Sequence, residues 1–174
     1  MATKTLDLGC GPNPRNPYNS DEIYGIDIIN FGNENIRVAD LCIDPIPFED
    51  NTFYAVTGYD FLEHLPRILY VGRDRKQPFI DVMSETWRVL KPGGKAYFVT
   101  PAYPNQEAFC DPQHVNYIST YTLQYFCIPS EATWGWSQLG GGQAYGFKGS
   151  FKALKHDWSQ DNPFHLIWEL EAIK

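Results

Sequence analysis

Five short apolar stretches constrain the fold of this chain more than any other feature of its sequence. They are four or five residues long, and most are followed directly by glycine, aspartate or proline. Runs of this length and composition predict strands buried on both faces of a sheet, joined by crossover connections. The sequence therefore predicts an α/β domain with a mostly parallel sheet, with strands at 5–8, 24–28, 36–39, 53–57 and 96–100.

Two further patterns complete the predicted fold. Residues 78–90 predict the longest helix, because Pro78 suits a first turn and the apolar residues recur on one face. The Lys-Pro-Gly-Gly stretch at 91–94 ends it. Two strand-like stretches, 145–154 and 164–173, predict a C-terminal antiparallel hairpin. We also expect a helix after the fourth strand, with Asp60 as its N-cap and Glu63 as the capping-box partner.

Composition narrows the function classes. The 174 residues fit a single domain, 1–174, and the net charge of −7 disfavours nonspecific binding of nucleic acid. No apolar run is long enough for a membrane span, and the N-terminus lacks the pattern of a signal peptide. We therefore expect a cytoplasmic protein. The four cysteines form no Cys-x-x-Cys pair, and the spacing of possible ligands predicts no metal site.

A glycine turn and two carboxylates predict a nucleoside site at the carboxyl edge of the sheet. Gly9 and Gly11 follow the first strand, where glycines allow a tight turn and a close approach to a ligand. Asp27 ends the second strand and can accept hydrogen bonds from both ribose hydroxyls. Asp40 follows the third strand, where its carboxylate or the Leu41 amide can read an adenine edge.

The same turn argues against a dinucleotide. The dinucleotide fingerprint would place a third glycine at position 14, where this chain has Pro14. Because prolines at 12, 14 and 17 prevent a long helix from starting there, a pyrophosphate seated on a helix N-terminus is poorly supported. An NAD-dependent oxidoreductase is therefore the least favoured of three functional hypotheses.

Five ordered motifs carry a family resemblance. They are Leu-Asp-Leu-Gly-Cys-Gly at 6–11, Tyr-Gly-Ile-Asp-Ile at 24–28, Val-Ala-Asp-Leu at 38–41, Phe-Leu-Glu-His-Leu at 61–65 and Arg-Val-Leu-Lys-Pro-Gly-Gly-Lys at 88–95. Together they resemble the class I S-adenosylmethionine-dependent methyltransferases, in particular the methyltransferase-11-like group. The resemblance covers roughly residues 5–101. It implies a Rossmann-like sheet of seven strands, helices on both faces and a last strand that runs antiparallel.

The resemblance also implies roles for individual residues. Gly9, Cys10 and Gly11 would border the methionine part of S-adenosylmethionine, and Asp7 would orient the loop or the cofactor's amino group. Asp27 with Ile28 would hold the ribose, Asp40 with Leu41 the adenine, and Gly58 with Tyr59 would lie near the sulfur. The chain departs from the family pattern at Asn13, where a third glycine is usual, and in the near absence of a helix after the glycine turn.

Two residues are predicted to act in catalysis. His114, in the Asp-Pro-Gln-His stretch at 111–114, is the candidate base for an acceptor that must lose a proton. A hydrogen bond to a loop carbonyl is its alternative role. Tyr59 is the candidate aromatic face beside the positive sulfur, and packing on the sheet is its alternative. His64, His156 and His165 are predicted to be structural, with the last two far from the site.

The leading hypothesis is methyl transfer to an O or N atom of a small-molecule or glycan acceptor. Nucleic acid is disfavoured as a partner, no membrane is involved, and a homo-oligomer is compatible with the sequence. The alternative is a noncatalytic scaffold or regulatory binding subunit that keeps the cofactor fold. The aromatic residues at 133–136 (Thr-Trp-Gly-Trp) suggest a lid over the acceptor, with ordinary packing as the other reading.

Overall fold

A seven-stranded sheet forms the centre of the protein. The structure is a computed structural model that describes residues 2–128 and 141–174. The strand order is β3-β2-β1-β4-β7-β9-β8, and every strand but β9 runs in the same direction. The strands are β1 (Lys4–Leu8), β2 (Glu22–Asp27), β3 (Ile36–Val38), β4 (Phe53–Tyr59), β7 (Leu90–Pro101), β8 (Phe151–Trp158) and β9 (His165–Ala172).

This topology brings the candidate residues to one edge. The carboxyl ends of β1, β2, β3, β4 and β7 meet there, and β9 begins at the same edge because it is antiparallel. His165, the first residue of β9, pairs with Pro101 at the end of β7. The predicted α/β class and mostly parallel sheet are confirmed. In such sheets ligands bind outside the carboxyl ends of the strands.

The predicted long helix is also confirmed. Helix α1 runs from Pro78 to Val89, with proline in its first turn. Its buried side chains join a core that includes Phe53 on β4, Phe98 on β7 and Trp168 on β9, all of them fully buried. Burying large aromatic and aliphatic side chains of this kind is the dominant favourable term in folding. None of the helices among residues 2–128 and 141–174 is long and apolar enough to cross a membrane.

Turns, rather than a helix, follow the first strand. Residues 9–21 contain no helix, as the prolines at 12, 14 and 17 predict. Tyr18 from this segment packs edge-on against Tyr54 and Tyr97, with ring centroids 6.0 and 6.3 Å away. Its hydroxyl donates to Glu169 on β9. The family resemblance implies a helix after the glycine turn. In this chain, Tyr18 packs on β4 and β7 instead.

The predicted capping box at the end of β4 is wrong. The segment is one turn of 3₁₀ helix, Leu62–His64, and its N-cap is Phe61 without a side-chain cap bond. Asp60 adopts a positive φ of 50° and bonds to His165 instead, while Glu63 is buried. A buried carboxylate that faces the sheet cannot reach back to a helix N-terminus. Three residues are also too few to need the box.

Other boundaries differ from the sequence-based expectation. The first hairpin strand begins at Phe151 and continues to Trp158, because Gly141–Tyr145 forms 3₁₀ helix. The charged stretch at 72–77 contributes to a small antiparallel hairpin of β5 (Leu69–Val71) and β6 (Asp74–Lys76). A four-residue helix α2, Glu107–Cys110, lies within the long segment after β7.

Candidate functional site

The glycine turn after β1 is tied to the end of β2. Gly9 and Gly11 have φ values of +62° and +58°, in the left-handed region that favours glycine. Between them, the amide of Cys10 donates to the carbonyl of Ile26 at 3.1 Å. The Gly11 amide donates to Oδ2 of Asp27 at 2.9 Å. Both glycines are therefore required by backbone conformation, and the turn is held against the strand that carries the predicted ribose ligand.

Asp7 fixes the far end of this turn. Its carboxylate is buried, accepts the Thr57 hydroxyl at 2.7 Å, and accepts the backbone amide of Arg15 at 2.8 Å. Burial raises the pKa of Asp7, and the two hydrogen bonds oppose that shift. Of the two roles implied for Asp7, these contacts favour orienting the loop.

Asp27 retains room for a ligand. Its Oδ2 accepts from Gly11 and its Oδ1 accepts from the amide of Ile29 at 3.0 Å. An ionised carboxylate has about four lone-pair sites, so two backbone bonds leave acceptor capacity on both oxygens. The next residue, Ile28, is 69% exposed although it is aliphatic. An exposed apolar side chain beside a fixed carboxylate fits a nucleoside, which presents an apolar ring and a pair of hydroxyls.

Asp40 and Leu41 lie beyond the neighbouring strand end. Asp27 pairs with Val38 across β2 and β3, and the amide of Ala39 donates to the Asp27 carbonyl. The exposed Asp40 carboxylate accepts from the Cys42 amide at 2.9 Å. Within the described chain the Leu41 amide donates no hydrogen bond. The two groups predicted to read adenine therefore occupy the same sheet edge as Asp27.

Cys10 packs against Gly25, a residue whose importance the sequence did not reveal. A Cβ at position 25 would lie 2.4 Å from the Cys10 sulfur and 2.9 Å from Cγ of Pro14. Only glycine therefore lets the turn lie this close to β2. Burial, reinforced by the charges of Asp7 and Asp27, raises the pKa of the Cys10 thiol to about 12. A neutral thiol of this kind is a packing group and a poor nucleophile.

Phe61 lies across the two strand ends at the centre of the edge. A Cβ on Gly9 would come within 2.7 Å of its ring, and one on Gly58 within 3.4 Å. Gly58 is also pressed by Phe98, at 3.1 Å. Gly58 therefore has a packing reason to be glycine. Phe61 is the side chain nearest to the face of Gly9, and sequence patterns gave no signal for it beyond its place in the fourth motif.

Tyr59 has protein partners on its ring. The Arg15 guanidinium stacks 4.4 Å from its centroid, and the Tyr97 ring lies 5.8 Å away. Burial raises the pKa of the Tyr59 hydroxyl to about 12. These contacts are those expected of a strand-end tyrosine that packs on the sheet, the alternative role considered above.

Asp60 and His165 form a hydrogen-bonded pair at the carboxyl edge of the sheet. Nε2 of His165 lies 2.7 Å from Oδ1 of Asp60, and its Nδ1 is buried without a hydrogen-bond partner among the described residues. The prediction that His165 lies far from the site is wrong. The antiparallel direction of β9 carries its first residue back to the carboxyl edge, which hydrophobic periodicity alone cannot show.

Three residues from two segments converge beside this pair. Glu63, His64 and His114 each offer a ligand-type atom, and these atoms lie within 4.8 Å of one another. Glu63 accepts the Thr100 hydroxyl at 2.9 Å through Oε2, while its Oε1 has no hydrogen-bond partner in the described part of the chain. Burial raises the pKa of Glu63 to about 7. The expectation that no ligands converge is therefore wrong, because sequence spacing did not place His114 beside the 3₁₀ helix.

Backbone contacts explain that convergence. The Glu63 carbonyl accepts the amides of Val115 and Asn116, both at 2.9 Å. The buried Asn116 side chain donates to the Leu62 carbonyl and accepts from Nε of Arg67. The loop after β7 is thereby fastened to the 3₁₀ helix after β4. The predicted aromatic lid at 133–136 lies outside the described residues.

A family comparison adds to this geometry. Residues 6–98, more than half of the chain, match the model of a family described as a methyltransferase domain. A search of curated proteins gave no match.

Solved structures share the fold at low identity. The Haloferax volcanii methyltransferase solved with the Trm112 methyltransferase activator has a TM-score of 0.62 at 14% identity, over 100% of this chain and 83% of that one. A SAM-dependent methyltransferase from Archaeoglobus fulgidus has a TM-score of 0.59 at 15% identity, covering 98% and 86%. The [4+2]-cyclase SpnF scores 0.61 at 14% identity, covering 99% and 75%. At these identities the likeness concerns the fold.

Proposed function

Because this chain belongs to the methyltransferase domain family, we propose that it transfers a methyl group from S-adenosylmethionine to an O or N atom of a small-molecule or glycan acceptor. Residues 1–174 act as one methyltransferase domain in this proposal. The observation that carries this proposal is the hydrogen bond from the Gly11 amide to the Asp27 carboxylate. This bond fastens the glycine turn to the residue that we expect to bind the ribose.

The residues at this edge fit the cofactor. Asp27 has spare acceptor capacity for ribose hydroxyls, and exposed Ile28 offers an apolar surface. The Leu41 amide, which donates to no other described residue, is available as a donor to a ring nitrogen. A Cβ on Gly11 would meet nothing within 4 Å, so there is open space beside the turn. S-adenosylmethionine, when bound, supplies a methyl group already activated by a positive sulfur.

The protein's part is alignment and exclusion of water. Gly9, Cys10, Gly11 and the loop-orienting Asp7 border the methionine portion in this proposal, and Gly58 underlies it. Since the donor is already activated, holding donor and acceptor in line supplies most of the rate enhancement. Phe61, which lies over Gly9 and Gly58, is suited to keep water from that position.

A base is needed only if the acceptor must lose a proton. The predicted base is His114, whose Nδ1 is buried without a partner among the described residues. A neutral imidazole nitrogen can accept a proton, and replacing a working base slows turnover roughly 100-fold or more. Tyr59 is the second predicted catalytic residue. Its ring already faces Arg15 and Tyr97, so we assign it to packing at the strand end.

A cavity next to the loop after β7 supports an acceptor with an apolar face. Its volume is about 490 Å³, and its wall includes Tyr117, which follows Asn116 in the chain. Tyrosine rings and two arginines line it, among them Arg67, Arg75, Tyr117, Tyr121, Tyr125 and Tyr145. Tyrosine presents an apolar ring with a hydrogen-bonding tip, a combination suited to a sugar or planar acceptor. The net charge of −7 disfavours nucleic acid in the same place.

Calorimetry tests the proposal. The full chain is titrated with S-adenosylmethionine, S-adenosylhomocysteine and NAD, and we expect binding of the first two only. Incubation with candidate glycans and small alcohols or amines should then yield S-adenosylhomocysteine. Cofactor binding without product from any acceptor would favour a noncatalytic scaffold or regulatory subunit. Binding of NAD alone would overturn the proposal.

We also propose a cytoplasmic location. Cys10, Cys42 and Cys110 carry free thiols, which suits a reducing compartment. A homo-oligomer or a bound partner could cover the glycine turn, because residues 9–21 contain no helix. Size-exclusion chromatography with light scattering distinguishes these states.

A further inference from the structure

Of the buried cluster of Glu63, His64 and His114, only His114 has a role in the proposed methyl transfer, and only for an acceptor that must lose a proton. We propose that these three side chains bind a divalent first-row transition ion, with Zn²⁺ as the reference ion. The inference is independent of the proposed cofactor site, because the cluster lies outside the residues assigned to S-adenosylmethionine. Failure of either can be observed without failure of the other.

The cluster contains two buried ligand-type atoms whose hydrogen bonding is unsatisfied within the described chain. Oε1 of Glu63 and Nδ1 of His114 are buried and have no hydrogen-bond partner among the described residues. Glu63 is 1% exposed and the His114 side chain 10% exposed. Leaving a buried polar atom unpaired costs roughly 1–3 kcal/mol, more if it is charged. A metal ion would satisfy both atoms at once.

The donor set selects the class of ion. Two imidazoles and one carboxylate match zinc and its first-row neighbours, while Mg²⁺ and Ca²⁺ prefer sites made of oxygen. The His64 and His114 rings are 5.0 Å apart and nearly perpendicular, at 79°. Ligands at ~2.0–2.2 Å from a tetrahedral ion are separated by about 3.3 Å. Atoms within 4.8 Å therefore reach bonding positions through small side-chain rotations.

The surroundings resemble those of metal sites. Ligating carboxylates and imidazoles are usually oriented by further polar groups. The Thr100 hydroxyl donates to Oε2 of Glu63, which leaves Oε1 for the ion. Oδ2 of Asp111 lies 4.0 Å from Nε2 of His114, on the side of the ring opposite Nδ1. With Nδ1 on the ion, His114 would be a ligand and could not serve as a base through that atom.

The backbone holds the ligands in place. Glu63 and His64 belong to one 3₁₀ turn, and the amides of Val115 and Asn116 fasten the His114 loop to the Glu63 carbonyl at 2.9 Å. Three protein ligands would leave a coordination position open, as in catalytic zinc sites. The cluster adjoins Asp60 and, through Thr100, the end of β7, so a bound ion would lie beside the carboxyl edge of the sheet.

Metal binding to the purified full-length chain tests the inference. The protein is stripped with a chelator, dialysed and titrated with ZnCl₂ by calorimetry, and bound zinc is measured by mass spectrometry. We expect one equivalent in the wild type. H114Q and E63Q should each bind at least roughly 100-fold more weakly, since removal of a ligand should cost at least as much as loss of an outer-shell partner. H156Q is the matched control, because His156 stacks on Trp168 in the hairpin.

Cobalt distinguishes this site from a cysteine site. Co²⁺ should give a visible spectrum without a thiolate charge-transfer band, because the proposed ligands contain no sulfur. Thermal unfolding checks that each variant folds, and H64Q replaces E63Q if that variant does not. No stoichiometric zinc in the wild type, equal affinity in all variants, or a thiolate band would each overturn the inference. Calorimetry with S-adenosylmethionine on the stripped protein reports on the proposed function separately.

Discussion

The carboxylate of Asp27 accepts the backbone amide of Gly11 at 2.9 Å, across sixteen residues of sequence. This one bond couples the turn after the first strand to the end of the second. It explains why the turn stays ordered without a helix behind it. The bond also fixes the orientation of the carboxylate before any ligand arrives, which reduces the entropy lost on binding.

Replacing Asp27 tests its role as ribose ligand. Asp27→Ala should weaken S-adenosylmethionine binding by about 1–3 kcal/mol, because charge-assisted hydrogen bonds are lost. Calorimetry gives the dissociation constant. Glu34→Ala is the control, since Glu34 is an exposed carboxylate before β3, at the opposite edge of the sheet. Equal affinity in wild type and Asp27→Ala would show that the ribose lies elsewhere.

Substitutions in the glycine turn should separate the energetic cost of a positive φ from the cost of a steric collision with Phe61. Gly9→Ala and Gly11→Ala both place alanine at a positive φ, which costs roughly 1–2 kcal/mol. Only the first brings a Cβ within 2.7 Å of Phe61, whereas the second meets nothing within 4 Å. Urea unfolding should therefore find Gly9→Ala less stable than Gly11→Ala by about 1 kcal/mol or more.

A second background checks that explanation. In Phe61→Ala, the additional cost of Gly9→Ala should fall to that of Gly11→Ala, because the colliding ring is gone. If the two glycine variants differ equally with and without the Phe61 ring, the collision is not the cause.

Thiol labelling reports on the Cys10 environment. Because burial and two nearby carboxylates raise the pKa of Cys10 to about 12, its thiol stays protonated at pH 8. The thiolate is the reactive form, so iodoacetamide should spare Cys10 and label exposed Cys110 in the native protein. Labelling of Cys10 should increase only as the pH rises toward 12 or in urea. Peptide mass spectrometry after a short pulse measures both sites, and rapid modification of Cys10 at pH 8 would contradict the prediction.

The sequence predicted the local features of the fold but not the features that depend on tertiary contacts. The strands that end near Gly9, Asp27 and Asp40 could be predicted, because hydrophobic periodicity, strand length and turn residues are local properties of the sequence. The convergence of Glu63 with His114 could not, since it depends on backbone bonds between segments fifty residues apart. The contacts that make Gly25 indispensable are likewise tertiary.

The expected capping box shows a local pattern overridden by tertiary contacts. Asp60 and Glu63 have the right spacing, yet each finds a better partner on a distant strand, His165 for one and Thr100 for the other. A capping bond is worth about 1 kcal/mol, which burial and a charge-assisted bond can exceed.

The Asp60–His165 bond should stabilise the junction between β4 and β9. Asp60→Ala removes the hydrogen-bond partner that the described part of the chain offers to Nε2 of His165, and it keeps a non-glycine residue at φ 50°. A double-mutant cycle with His165→Ala should give a coupling of about 0.5–1.5 kcal/mol in urea unfolding. Asp60→Asn, which tolerates a positive φ and keeps an acceptor oxygen, should retain most of that stability. Additive single effects, with Asp60→Asn no better than Asp60→Ala, would mean that the pair contributes nothing to folding.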